Sequence, residues 1–178
     1  MSRWRPGDRR ADRASMLRVN QAGEYGATRI YAGQLAVLRP NCPEAKLIAR
    51  MAAQEERHLK RFNHLMADRR VRPTVLQPLW NVAGFALGAA TALMSEKAAL
   101  ACTDAVETEI DKHYGAQLDQ IDDEDPELAA DIAEFRAEEL EHRDTAREAG
   151  AATAVGYPVL TAAIRAGCRV AIGLSKRI

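Results

Sequence analysis

The sequence predicts an all-α fold, a four-helix bundle, on three observations. Ala, Leu, Glu and Arg dominate, with only 5% aromatic residues, and these abundant residues are strong helix formers. Four long stretches repeat apolar residues at helical spacing. Each of those stripes is interrupted near its middle by charged or polar residues. At 178 residues the chain is long enough for one domain with a real core.

The first helix is predicted over about 15–38, with Leu17, Gln21, Glu24, Thr28, Tyr31, Leu35 and Leu38 facing inward, and Pro40 and Pro43 ending it. The second is predicted over about 44–68, with Ile48, Met51, Glu55, His58, Phe62 and Leu65 on one face. The third runs from the low nineties to about 121 and carries Leu100, Thr103, Glu107, Ile110, Tyr114, Leu118 and Ile121. An acidic turn over 122–126 leads to the fourth, about 126–149, with Leu128, Ile132, Phe135, Glu139, His142 and Ala146 inward and Gly150 as its stop.

Two further segments lie outside the four stripes. Residues 73–95 hold no charged residue. The length suits a membrane span, but Gln77, Pro78, Asn81, Gly84 and Gly88 dilute its apolar character. It reads as the long crossover that one class of bundle requires, or as a helix lying in a membrane interface. Residues 159–178 alternate apolar positions with Arg165, Arg169, Lys176 and Arg177, which suits a basic amphipathic helix on an anionic membrane surface or a fifth helix packed on the bundle. The Arg-rich start, 1–14, is expected to be a solvated or membrane-facing tail, with 15–178 forming the single domain.

Lys plus Arg and Asp plus Glu number 25 each, so the formal charge is zero. That balance argues against nucleic-acid binding. Cys42, Cys102 and Cys168 are odd in number and widely spaced, which excludes a disulfide framework and a Cys-based zinc site and suits a reducing compartment.

The interrupting residues form a pattern. Glu55-x-x-His58 and Glu139-x-x-His142 are one motif on two helices, and each is preceded one helix earlier by a core-facing glutamate, Glu24 or Glu107. Residues three apart share a helix face. The chain therefore reads as two similar halves that deliver four carboxylates and two imidazoles to one interior site. An unpaired buried carboxylate costs on the order of 20 kcal/mol in an idealised estimate, and four together repel one another. Two cations remove both problems, and the donor set suits iron. A Glu from each of two helices plus Glu-x-x-His from the other two marks the ferritin-like carboxylate proteins.

Glu138 lies four residues before His142 and could replace Glu139 on spacing alone, although the repeat favours Glu139. Glu109 is expected to be a surface charge, Glu96 to lie near one end of the bundle, and His64 to be at the surface. Tyr114 and His113 either orient a ligand or contact substrate, or are a packed tyrosine and a surface histidine. Arg29 and Tyr31 are similar candidates.

Several segments resemble the demethoxyubiquinone hydroxylases: LRVNQAGEYGA from Leu17, IYAGQ from Ile30, EERHL from Glu55, ACTDAVE from Ala101, His113-Tyr114, EELEH from Glu138, and AGCRVAI from Ala166. The resemblance runs from Leu17 to the C-terminus, and no ligand position is missing. It implies a non-haem di-iron monooxygenase on a ferritin-like bundle that hydroxylates the ring of demethoxyubiquinol in the penultimate step of ubiquinone synthesis. By that resemblance Glu24 and His58 serve one iron, Glu107 and His142 the other, and Glu55 and Glu139 bridge them. It further implies O2 as co-substrate, an external reductant and a prenylated quinol substrate. The expected location is peripheral, on the cytoplasmic face of a bacterial inner membrane or the matrix side of the mitochondrial one, where other ubiquinone-biosynthesis proteins or a second copy of the chain are candidate partners. Competing expectations are a ferroxidase or iron-storage protein of the same fold, a membrane scaffold whose buried acids hold no metal, and a di-iron hydroxylase of tRNA, which the neutral charge disfavours.

Overall fold

The computed structural model describes residues 12–121 and 125–177. The expected N-terminal tail up to residue 11, and the centre of the acidic turn at 122–124, lie outside the described residues. Six helices follow in order: α1 (Arg13–Val37), α2 (Pro43–Asp68), α3 (Gln77–Met94), α4 (Glu96–Leu118), α5 (Pro126–Glu148) and α6 (Tyr157–Ser175), with a 3₁₀ turn at Ala151–Thr153 between the last two.

Local chemistry sets the boundaries. The side chains of Asp12, Cys42, Ser95 and Asp125 accept the backbone N–H three residues on, capping α1, α2, α4 and α5. Pro43 and Pro126 occupy the first helical position, where their missing N–H costs nothing. Ser95 is extended and serves as the end of α3 and the cap of α4. The third predicted helix therefore starts at Glu96 rather than in the low nineties, and it ends at Leu118. α1 likewise starts at Arg13, where Asp12 caps it. Gly150 (φ 96°) and Gly156 (φ 71°) supply the left-handed turns that reverse the chain into α6.

α1, α2, α4 and α5 form the bundle. α1 packs on α2 and α4 on α5, while α2 and α5 are joined by ion pairs: Arg57–Glu134 (2.9 Å), Arg61–Asp131 (2.7 Å) and Arg69–Glu127 (3.0 Å). α3 and α6 cover the opposite side, α3 against α1 and α4, α6 against α4 and α1. The two halves seen in the sequence are therefore three helices each. This doubled cover explains why every residue of α4 from 98 to 107 is buried. Ala98, Ala99, Ala101 and Ala105 keep that helix thin enough to be enclosed. α2 and α5 bury one face only.

The seam between α1 and α3 is backbone against backbone. A Cβ on Gly33 would fall 2.1 Å from the Phe85 carbonyl oxygen, and one on Gly88 would fall 1.9 Å from that of Ile30. α6 instead docks through charge. Glu109, expected at the surface, is only 4% exposed and pairs with Arg165 (2.7 Å), Lys112 (3.1 Å) and Arg169 (3.3 Å). Helical spacing turns Glu109 away from the bundle centre but into the groove that α6 fills, which a four-helix reading leaves open. Asp104, also buried, accepts from Arg147 Nε (2.8 Å) and from the Tyr157 hydroxyl, tying α4, α5 and α6 together.

Both cover helices still show apolar side chains to the outside: Leu79, Val82 and Phe85 on α3, Val159, Val170 and Leu174 on α6. Trp80 Nε1 donates to Ser175 Oγ at 3.0 Å and links the two. α6 is long and apolar enough by composition to cross a membrane. The same helix holds Arg165 and Arg169 against Glu109, so it is a packed element of the bundle whatever else its outer face meets.

Candidate metal centre

The midpoints of α1, α2, α4 and α5 bring Glu24, Glu55, His58, Glu107, Glu139 and His142 together, none more than 3% exposed. The six form two groups. One ligand atom from each of Glu24, Glu55, His58 and Glu139 lies within 4.8 Å of the others, and the same holds for Glu55, Glu107, Glu139 and His142. Glu55 and Glu139 belong to both. His58 Nδ1 is 3.5 Å from Glu24 Oε2 and 3.2 Å from Glu139 Oε1. His142 Nδ1 is 3.1 Å from Glu55 Oε1 and 3.3 Å from Glu139 Oε2.

The outer atoms of these groups are anchored and the inner ones are not. Tyr114 donates to Glu24 Oε1, and Tyr31 donates to Glu107 Oε1 at 2.7 Å. His58 Nε2 donates to Glu138 Oε2 at 2.8 Å, and His142 Nε2 donates to Gln54 Oε1 at 3.0 Å. Glu24 Oε2, Glu107 Oε2, both oxygens of Glu55 and Glu139, and Nδ1 of both histidines are buried without a hydrogen-bond partner. A buried polar atom left so is costly. These orphaned atoms belong to the residues of the two groups, so the donor set fits two metal ions.

Electrostatics agrees. Burial, then repulsion from Glu139 and its neighbours, pushes the carboxyls of Glu55 and Glu107 well above the usual range. Glu139 is also raised, burial again leading. Glu24 is the exception: burial raises it, but the His58 imidazole outweighs that and holds it low. Burial pulls His58 down, yet Glu139 and Glu24 lift it to about 10. His142 is lowered, chiefly by burial. Cations in the centre would reverse the upward shifts of Glu55, Glu107 and Glu139.

Tyr114 is packed inside with its hydroxyl donating to Glu24, and Tyr31 does the same to Glu107 on the opposite side. His113 lies neither in the cluster nor fully at the surface. Half-buried, it faces Asn20 Oδ1 (3.1 Å) and Gln117, and burial first, then Lys176, pushes it down to about 4. Arg29 stacks over Phe85, Glu96 pairs with Arg39, and His64 is exposed beside Asp68. Glu138 lies outside the centre, against His58 and Arg57. Gln54 was not singled out from the sequence. The available signal was its place directly before Glu55, matching that of Glu138 before Glu139.

Residues 11–175 match the family described as "Ubiquinone biosynthesis protein COQ7". The chain belongs to this family. It is 56% identical over 162 residues to the 3-demethoxyubiquinol 3-hydroxylase of Rhodospirillum rubrum, covering 91% of this chain and 76% of that protein. It is 54% identical over 167 residues to the human mitochondrial NADPH-dependent 3-demethoxyubiquinone 3-hydroxylase, covering 92% and 76%. The mitochondrial 5-demethoxyubiquinone hydroxylase of Saccharomyces cerevisiae is 44% identical over 179 residues, covering 92% and 77%. COQ7-family relatives across this range are thus named as hydroxylases.

Proposed function

We propose that this COQ7-family chain hydroxylates the ring of demethoxyubiquinol in ubiquinone biosynthesis, with two iron ions held by Glu24, Glu55, His58, Glu107, Glu139 and His142. The observation that carries the reading is the pair of buried ligand groups sharing Glu55 and Glu139. Glu24 and His58 would hold one ion and Glu107 and His142 the other, with the shared glutamates between them. When bound, reduced iron supplies the electrons that activate dioxygen for ring hydroxylation. One oxygen atom enters the product and the other leaves as water, so an external two-electron reductant is required. The human relative's name, NADPH-dependent, makes a nicotinamide nucleotide the first to test.

The protein's own residues have distinct jobs. Tyr31 and Tyr114 keep their protons, because burial first and then the facing carboxylates raise them well above the usual phenol range. They act as fixed donors that aim the free oxygens of Glu107 and Glu24 inward. Phe62, Phe135, Leu17 and Ile132 close the surroundings to water. Ala27, Ile30, Tyr31, Thr103 and Val106 line a closed apolar seam that ends on Glu107, and this seam would have to open to admit the quinol ring from the α1–α4 side. The exposed apolar faces of α3 and α6 on that side receive the prenyl tail and seat the protein on a membrane. The ferroxidase alternative is not favoured by relatives named as hydroxylases.

The test is iron content together with turnover. Reduced, iron-loaded protein given demethoxyubiquinone and oxygen should contain two irons per chain and yield a product one oxygen heavier. Bound iron without product, even with NADPH supplied, would refute the hydroxylase reading. A chain that binds no metal would refute the centre itself.

A further inference from the structure

The two halves of the centre correspond residue for residue. Glu24 and Tyr31 on α1 match Glu107 and Tyr114 on α4, and Glu55 and His58 on α2 match Glu139 and His142 on α5. The supporting contacts are crossed in both directions: each tyrosine holds the other half's glutamate. The residue before each shared glutamate likewise reaches the other half's histidine. At this last position the correspondence breaks, because the first half has Gln54 and the second has Glu138. A neutral amide therefore backs His142, and a carboxylate backs His58.

Three observations make the difference physical. Since Nδ1 of each histidine faces the centre, Nε2 carries the proton, and a carboxylate there can only accept it. Glu138 is held in its ionised form by Arg57, which bonds both of its oxygens and also Glu134 at 2.9 Å. Arg57 is half-exposed, so water screens its charge, while Glu138 lies directly against the imidazole. The His58 ring is in addition stacked on Phe135 at 4.0 Å. At His142, Gln54 is the one hydrogen-bond partner of Nε2 among the described residues. A hydrogen bond to an ionised acceptor is roughly twice as strong as a neutral one, and it raises the basicity of the imidazole toward a metal.

We infer that Glu138 makes the Glu24–His58 position the tighter and first-filled of the two metal positions, and that Gln54 leaves the Glu107–His142 position the weaker. The inference rests on the two-metal reading above. It makes Glu138 and Gln54 positioning residues that set loading order, an assignment that the ligand set alone does not give.

The test is anaerobic titration of metal-free protein with ferrous iron against a competing chelator. The full chain is used, with thermal melts to show that each variant is folded. Wild type should bind two equivalents in two resolved steps. Glu138→Gln should weaken the tighter step by about tenfold and leave the weaker one in place. Gln54→Glu, which removes no buried group, should tighten the weaker step by a similar factor and draw the two together. Two unresolved steps in wild type, or variants that leave both steps unmoved, would overturn the inference while leaving the metal centre standing. Wild type that takes up no iron would remove both.

Discussion

In the first half of the chain Glu24 and Tyr31 stand seven residues apart on α1, and in the second half Glu107 and Tyr114 stand seven apart on α4. Neither tyrosine serves its own glutamate. Each spans the bundle to the opposite one, so each half's glutamate is held by the other half's phenol. The cover helices are less alike. α3 is pressed onto α1 through glycines that bring backbones together, whereas α6 is held to α4 by Arg165 and Arg169 against Glu109. The proposed pair of ions would account for the correspondence at the centre, since each ion needs its own set of donors. The outer helices have no such requirement.

The largest effect should come from a group shared by both halves. Replacing Glu139 by Ala should remove both irons and abolish hydroxylation, whereas Glu24→Ala should keep about one iron per chain, because Glu24 belongs to one ligand group only. Metal analysis of the two purified variants checks this, and a Glu139→Ala protein with both irons and full activity would falsify the ligand assignment.

Next come the glycine seams. Gly88→Ala places a methyl group against the Ile30 carbonyl and should cost about 1–3 kcal/mol in a denaturant melt. Gly167 on α6 meets nothing within 4 Å, so Gly167→Ala should be neutral or gain up to about 1 kcal/mol from helix propensity. Equal costs at both positions would show that the two cover helices dock alike.

Tyr31→Phe and Tyr114→Phe sharpen the comparison at the centre. Each leaves one carboxylate oxygen unheld and should lower iron affinity by about tenfold or more, with comparable losses in the two variants. A variant without any loss would mean that its carboxylate is aimed by the metal rather than by the phenol.

The pH response is a property of the whole cluster. Glu55, Glu107 and Glu139 are raised, as is His58, to about 10. Groups raised in the folded state stabilise it below their unfolded values and lose that contribution as pH rises through the folded ones. Glu24, which is lowered, contributes fully above the ordinary carboxylate range, and the lowered His142 weakens the fold only when pH falls below that of an ordinary histidine. The melting temperature of metal-free protein should therefore fall between about pH 7 and about pH 9. Iron-loaded protein should be flat over the same interval, and a flat metal-free profile would contradict the cluster's electrostatics. The smallest effect is at Glu109: its replacement by Ala should cost about 1 kcal/mol, loosening one of the contacts of α6 while leaving iron affinity unchanged.

The four bundle helices were legible because each needs a one-sided apolar stripe, and the stripe is written in the spacing of Leu17, Ile48, Leu100 or Leu128. The six inward acids and histidines were legible because polar residues break that stripe. The supporting residues were harder to read. Glu138 and Gln54 lie off the stripe and act across the bundle on a helix distant in sequence, so no local pattern points to their partners. Glu109 failed for a related reason: α6 fills the groove it faces, so a position facing away from the centre is there not a position facing water.

The ion-paired seam between α2 and α5 lies on one side of the bundle, and the exposed apolar residues of α3 and α6 lie on the other. In the physics of colloids that is a Janus particle, with one hemisphere wetted by water and one by oil. Such a body placed at an oil–water boundary experiences a restoring torque, so its heading is set by its own surface. For this chain that heading would turn the outer faces of α3 and α6 toward the oil and the ion-paired seam toward the water.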